Sequence, residues 1–168
     1  MEAPEKWQFP YISDDVSEYI KEHILASDVA LLGRVTYEIF ASYWPTQTNN
    51  EFGIADKLNS QPKFVVSSTL DKAEWNNSML IKGNVIEEIT RLKQQPGGDI
   101  VLTGSNTLVH SLMQAGLIDE FQLQVYPIVL GSGMRLFDGV DMTALKLVDS
   151  RTFKSGAIAL TYQLQKGT

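Results

Sequence analysis

Two short stretches carry the residue types from which an anion site is built: Leu31-Leu32-Gly33-Arg34-Val35-Thr36 and Leu102-Thr103-Gly104-Ser105-Asn106-Thr107. In each, an apolar run ends at or near a glycine and gives way to a helical pattern. The glycine lets a phosphate approach the backbone, the unpaired N–H groups of the first helical turn point outward, and the helix dipole adds partial positive charge. Arg34 would supply a forked cation, while Thr36, Ser105 and Thr107 can donate hydroxyls. Taken alone, either stretch is also explained by an ordinary glycine turn at a helix N-cap. A third run, Ser67-Ser68-Thr69, closes an apolar segment with three hydroxyls that suit the edge of a ribose phosphate or a solvated loop equally.

Other chemistries find little support. Gly131-Ser132-Gly133-Met134-Arg135-Leu136 begins like a dinucleotide fingerprint but has leucine at the third glycine and no long helix after it. Ser132 lacks the longer GxSxG elbow and any histidine placed to activate it, which argues against a serine hydrolase at Ser132 or Ser105. Asp119-Glu120 falls between a helix and a strand, where capping or a surface role is the plainer reading. His23 and His110 sit inside helical patterns and read as packed or surface residues. The chain has no cysteine and two histidines, so disulfides, thiolate chemistry and imidazole-rich metal sites drop out. A net charge of −6 argues against a nucleic-acid surface, so any phosphate recognition must be local. A dinucleotide site without acid, base, nucleophile or metal is consistent with hydride transfer, in which the nicotinamide carries the reaction.

The elements that must position these turns follow from periodicity. With 168 residues, 43% of them hydrophobic, one compact domain over the whole chain is expected. The absence of a secretory pattern or a long apolar run suggests a cytoplasmic protein. Val16, Tyr19, Ile20, His23 and Ile24 recur at helical spacing over 14–26. A buried strand over 28–32 then leads through Gly33 into a helix opening near Val35 or Thr36. Residues 52–58 read as helix, 63–67 and 78–81 as strands, and Asn84 as the cap of a helix stopped by Pro96-Gly97-Gly98. A strand over 99–103 precedes a helix from Gly104 to Gly116. Period-two alternation at Phe121, Leu123 and Val125 marks another strand, followed by an irregular glycine-rich segment, 127–139. Strands over 144–152 and 157–165 close the chain as a hairpin around Lys154-Ser155-Gly156. This alternation predicts an α/β fold: a mostly parallel sheet with helices on both faces, a C-terminal antiparallel hairpin and one antiparallel strand near an edge. Ligands in such sheets sit at the carboxyl ends of the strands.

The motif order resembles the dihydrofolate reductase-like superfamily, in the branch of the riboflavin-biosynthesis reductase domain. The residues that carry the resemblance are the 31–38 and 99–105 turns, Lys63-Phe64-Val65-Val66-Ser67-Ser68, Gly116-Leu117-Ile118-Asp119-Glu120, and Pro127-Ile128-Val129-Leu130-Gly131-Ser132-Gly133 with Leu136-Phe137. It implies a reductase with NADPH as hydride donor and a pterin- or pyrimidine-like small-molecule substrate. Gly33, Arg34 and Thr36 would hold cofactor phosphates, Ser67 and Ser68 the adenosine side, and Gly104, Ser105 and Asn106 the pyrophosphate. Pro127, Val129 and the Gly131 turn would lie beside the nicotinamide, and a homodimer is implied. Members usually begin with a further strand ending in a Ser-Leu-Asp-Gly-like turn; Met1-Glu2-Ala3-Pro4 corresponds to the chain just after it. That departure bears on the substrate half, and keeps open a non-catalytic nucleotide-binding or scaffolding protein that retains the fold.

Overall fold

The computed structural model describes residues 4–165, and the chain divides into two compact units. One is Ile20–Ser111; the other joins the residues up to Tyr19 to those from Leu112 onward.

In the first unit, β1 (Val29–Gly33), β2 (Lys63–Val66), β3 (Ser78–Ile81) and β4 (Ile100–Gly104) form an all-parallel sheet in the order β3-β2-β1-β4. The central strand is the apolar run, with Ala30, Leu31, Leu32 and Gly33 all buried, as a strand covered on both faces requires. Helices α2 (Arg34–Tyr43), α3 (Ala55–Ser60) and α4 (Val85–Lys93) connect the strands. Ala30, Leu32, Tyr37, Ile54, Leu58, Val65 and Trp75 pack into one core. β4 carries an irregularity: Leu31 pairs with Leu102, but Leu32 pairs with Gly104, leaving Thr103 as the extra residue of a bulge.

In the second unit, β5 (Glu120–Val125), β6 (Leu145–Thr152) and β7 (Ile158–Leu164) form an antiparallel sheet in the order β5-β7-β6. The turn between β6 and β7 is closed by Phe153 N–H to Ala157 O and Gly156 N–H to Phe153 O, with Gly156 at φ +82°. Tyr19 packs edge-on against Phe153 at 5.3 Å, and Phe121 against Phe137 at the same distance. Helices α1 (Asp14–Ala26) and α5 (Asn106–Gln114) contribute residues to both units. No helix among the described residues is long and apolar enough to cross a membrane.

Three local expectations need correction. Residues 52–58 are not one helix: Phe52 takes φ +54° in a 3-10 turn, and α3 begins only at Ala55. Asn84 precedes α4 as expected, but at φ +49° with no side-chain hydrogen bond, so it does not cap through its amide. The antiparallel part is a separate three-stranded sheet rather than one strand near an edge, because β5 pairs with β7, not with a parallel strand.

Candidate functional site

The two glycine turns meet. A Cβ on Gly33 would lie 2.8 Å from Ser105 Oγ, 3.0 Å from Ser105 N and 3.2 Å from Ser105 Cβ. A Cβ on Gly104, which sits at φ +148°, would lie 2.9 Å from Thr36 Oγ1. Each glycine therefore receives a hydroxyl residue of the other turn, at a distance that a Cβ would crowd. The bulge at Thr103 produces this interlock by bringing Gly104 level with Leu32. The Gly104–Ser105 peptide bond is cis.

Around the interlock the start of α2 and two hydroxyls lack side-chain partners. Gly33 begins α2 at φ −76° and ψ 160° with no side chain to cap it, leaving the first-turn amides open to an external acceptor. Thr36 Oγ1 and Ser105 Oγ make no hydrogen bond among the described residues. Arg34 is partly exposed and its Nη1 donates to both carboxylate oxygens of Glu38, at 3.1 and 2.8 Å. Glu38 escaped the sequence reading, although its i, i+4 spacing from Arg34 is a signal for such a pair.

Ser67 and Ser68 follow β2 in the same unit. Ser67 is buried, and its hydroxyl accepts from the Thr69 and Leu70 N–H groups at 3.2 and 2.9 Å, tying down its own turn; Ser68 is exposed. Asn106 is the first residue of α5. Pro127, Val129 and Gly131 belong to the other unit. Pro127 lies against Gly156, where a Cβ would meet Pro127 Cγ at 3.4 Å; Val129 is 95% exposed and Gly131 is at φ +74°. The structure thus brings Gly33, Thr36, Gly104 and Ser105 into direct contact, with Arg34 beside them.

Beside α2 lies an open cavity of about 820 Å³, with Tyr37, Glu38, Lys72, Glu74 and Trp75 among its walls. Behind it, Lys63 is fully buried at the start of β2. Its Nζ donates to the carbonyls of Gln61, Asn76 and Asn59 at 2.9, 2.9 and 3.3 Å and lies 4.3 Å from the Trp75 ring centre. Burial lowers this amine from 10.5 to about 8. All three of its N–H bonds are spent on backbone, so it serves as a staple rather than as a reagent. Among the described residues no group of three or more His, Cys, Asp or Glu is placed to hold a metal ion.

Residues 3–159 match the RibD C-terminal domain family. The chain belongs to that family. It is 36% identical over 138 residues to the uncharacterized protein YyaP of Bacillus subtilis (strain 168), covering 80% of this chain and 73% of that protein. With YwjB of the same organism it is 32% identical over 136 residues, covering 80% and 72%. A putative riboflavin biosynthesis protein from Shewanella sp. PV-4 superimposes with a TM-score of 0.67 at 21% identity, covering 85% of this chain and 77% of that one. A dihydrofolate reductase from Enterococcus faecalis, in complex with NADP(H), gives 0.62 at 19% identity, covering 94% and 85%. These likenesses establish the dihydrofolate reductase-like fold, and RibD family membership supports an enzyme of reductase type.

Proposed function

We propose that the chain is an NADPH-dependent reductase that transfers hydride to a small conjugated or heteroaromatic acceptor of pterin- or pyrimidine-like chemistry. The interlocked turns support the reading: the Gly33 and Gly104 turns juxtapose two strand ends, with the start of α2 lacking a side-chain cap and the Thr36 and Ser105 hydroxyls making no hydrogen bond among the described residues. Phosphate oxygens only accept, so this donor set fits a pyrophosphate. In this reading Gly33, Thr36, Gly104, Ser105 and Asn106 hold the phosphates, and Ser67 and Ser68 border the adenosine. Arg34 exchanges the Glu38 carboxylate for the extra phosphate that distinguishes NADPH. That exchange is cheap, because an exposed i, i+4 ion pair is worth only about 0.3–0.5 kcal/mol.

Pro127, Val129 and the Gly131 turn are assigned to the nicotinamide end. When bound, the nicotinamide supplies the hydride, and the protein's part is position and electrostatics. A homodimer in the cytoplasm completes the proposal. Titration of NADPH followed by its fluorescence tests it: saturable binding is expected, and no binding at high micromolar cofactor would remove it.

A second reading, a nucleotide-binding or scaffolding protein without turnover, draws on the open edge of β4, which among the described residues pairs with β1 alone. NADPH oxidation with any member of a pterin, pyrimidine and quinone panel excludes it.

A further inference from the structure

We propose that the cavity beside α2 is a second ligand site, separate from the glycine turns, that takes a small zwitterion: an apolar body carrying one ammonium and one carboxylate, as in an α-amino acid. The cavity, of about 820 Å³, is walled by one face of α2, by Asn59 of α3 and by residues of 72–76 on the way into β3. None of Gly33, Thr36, Ser67, Ser68, Gly104 and Ser105 lines it. Its aromatic wall is held in place by the protein itself. The Trp75 backbone N–H donates to Tyr37 Oη at 2.9 Å, the indole N–H donates to Asn59 Oδ1 at 2.8 Å, and Lys63 Nζ backs the Trp75 ring at 4.3 Å. A wall fixed in advance leaves less to be ordered when a ligand binds.

The groups on the walls select the occupant. Lys72 and Glu74 both line the cavity, and neither side chain makes a hydrogen bond or ion pair among the described residues, with the other or with Glu38. Tyr37 is 4% exposed; its hydroxyl accepts the Trp75 N–H, while its own hydrogen meets no acceptor among the described residues. The cavity thus offers two donors, Tyr37 Oη–H and Lys72 Nζ, and two carboxylates, Glu38 and Glu74. A cation alone would meet the Lys72 ammonium, and an anion alone would meet both carboxylates. A zwitterion satisfies both sets at once. Ala41 and Pro45 supply apolar wall for its body.

Glu38 joins this site to the turns. Its carboxylate accepts from Arg34 Nη1 and is also a wall of the cavity. An ammonium that draws Glu38 towards the cavity loosens its hold on Arg34 and frees the guanidinium for a cofactor phosphate. The two sites are therefore coupled, positively and reciprocally. The coupling rests on the proposed assignment of Arg34 to NADPH, whereas the site itself does not.

Calorimetric titration of the full chain with phenylalanine, phenethylamine and phenylpropionate separates the two charges. Phenylalanine should bind saturably and about fivefold more tightly than either analogue, the upper range for an exposed ion pair. Glu74→Gln should weaken phenylalanine and phenethylamine about fivefold and leave phenylpropionate unchanged. Lys72→Met should weaken phenylalanine and phenylpropionate and leave phenethylamine unchanged. Both residues are exposed and unpaired among the described residues, so neither change threatens the fold. Saturating phenylalanine should lower the Kd for NADPH about twofold, the worth of an exposed i, i+4 pair, in wild type but not in Glu38→Gln. No saturable phenylalanine binding, or binding indifferent to Glu74→Gln and Lys72→Met, overturns the site. Binding that follows both variants while NADPH affinity stays unmoved overturns the coupling. NADPH that fails to bind at all overturns the cofactor reading and the coupling with it, and the phenylalanine titrations still decide the site.

Discussion

Replacing Gly33 with alanine inserts one methyl group where the two turns touch. The backbone at φ −76° and ψ 160° suits alanine, so the change carries no torsional penalty, and restricting the unfolded chain contributes roughly 0.4–1 kcal/mol of stability. The new Cβ, however, would sit 2.8 Å from Ser105 Oγ and 3.0 Å from Ser105 N. The hydroxyl can rotate away, but the backbone nitrogen cannot. Relieving that contact means moving the Ser105 turn by a few tenths of an ångström. Overpacking of this kind costs about 1–3 kcal/mol, leaving a net destabilisation of about 1 kcal/mol and a fall in Tm of roughly 2–4 °C. The effect on NADPH should be larger, because displacing the turn removes a hydrogen bond to a charged acceptor worth about 1.5–3 kcal/mol, roughly ten- to a hundredfold in Kd. The assay is a thermal melt alongside a fluorescence titration, with Gly97→Ala as the control, since a Cβ there meets nothing within 4 Å. Wild-type melting and wild-type NADPH affinity in Gly33→Ala would refute the interlock. Lowered stability with unchanged affinity would leave the contact standing and remove the cofactor from it.

Arg34→Ala should weaken NADPH about ten- to a hundredfold and NADH much less, with equal losses contradicting the assignment; Glu38→Gln, by freeing Arg34, should tighten NADPH about twofold. Lys63 gives a pH signature. Its folded value of about 8 lies below the ordinary 10.5, so between these values the unfolded chain binds more protons and stability rises with pH, by at most about 1.4 kcal/mol per unit. Urea denaturation of wild type and Lys63→Met across that window should show the rise only in the wild type, and parallel curves would count against the buried ammonium. Asp15 accepts from Ser13 Oγ–H and from the Lys154 N–H, and the first of these most strongly holds its carboxyl below 3.8. Its contribution is therefore present above 3.8 and lost as pH falls through the lower folded value, so acid unfolding of Asp15→Asn should begin from a less stable state and show a shallower dependence.

Much of this was legible in the chain. Val16, Tyr19, Ile20 and Ile24 at helical spacing gave α1 its full extent, because one face of a helix must be apolar to pack. The unbroken run before Gly33 marked β1 as a buried strand, and residues 3–159 carry enough ordered motif to place the chain in the RibD C-terminal domain family. Local chemistry also located both glycine turns, since a glycine between an apolar run and a helix is itself a local signal. What remained hidden depends on partners distant in sequence. The interlock of Gly33 with Ser105 and Gly104 with Thr36 rests on a bulge at Thr103, and a bulge is defined only against the neighbouring strand. Lys63 reads as a polar strand end, yet Gln61, Asn76, Asn59 and Trp75 bury it and satisfy its ammonium. The sequence by itself determined the elements, the family and the identity of the two turns, because these follow from side-chain type and spacing along one segment. Only the tertiary structure decided which turn touches which and which strand edge stays open, because those depend on register between segments separated by dozens of residues.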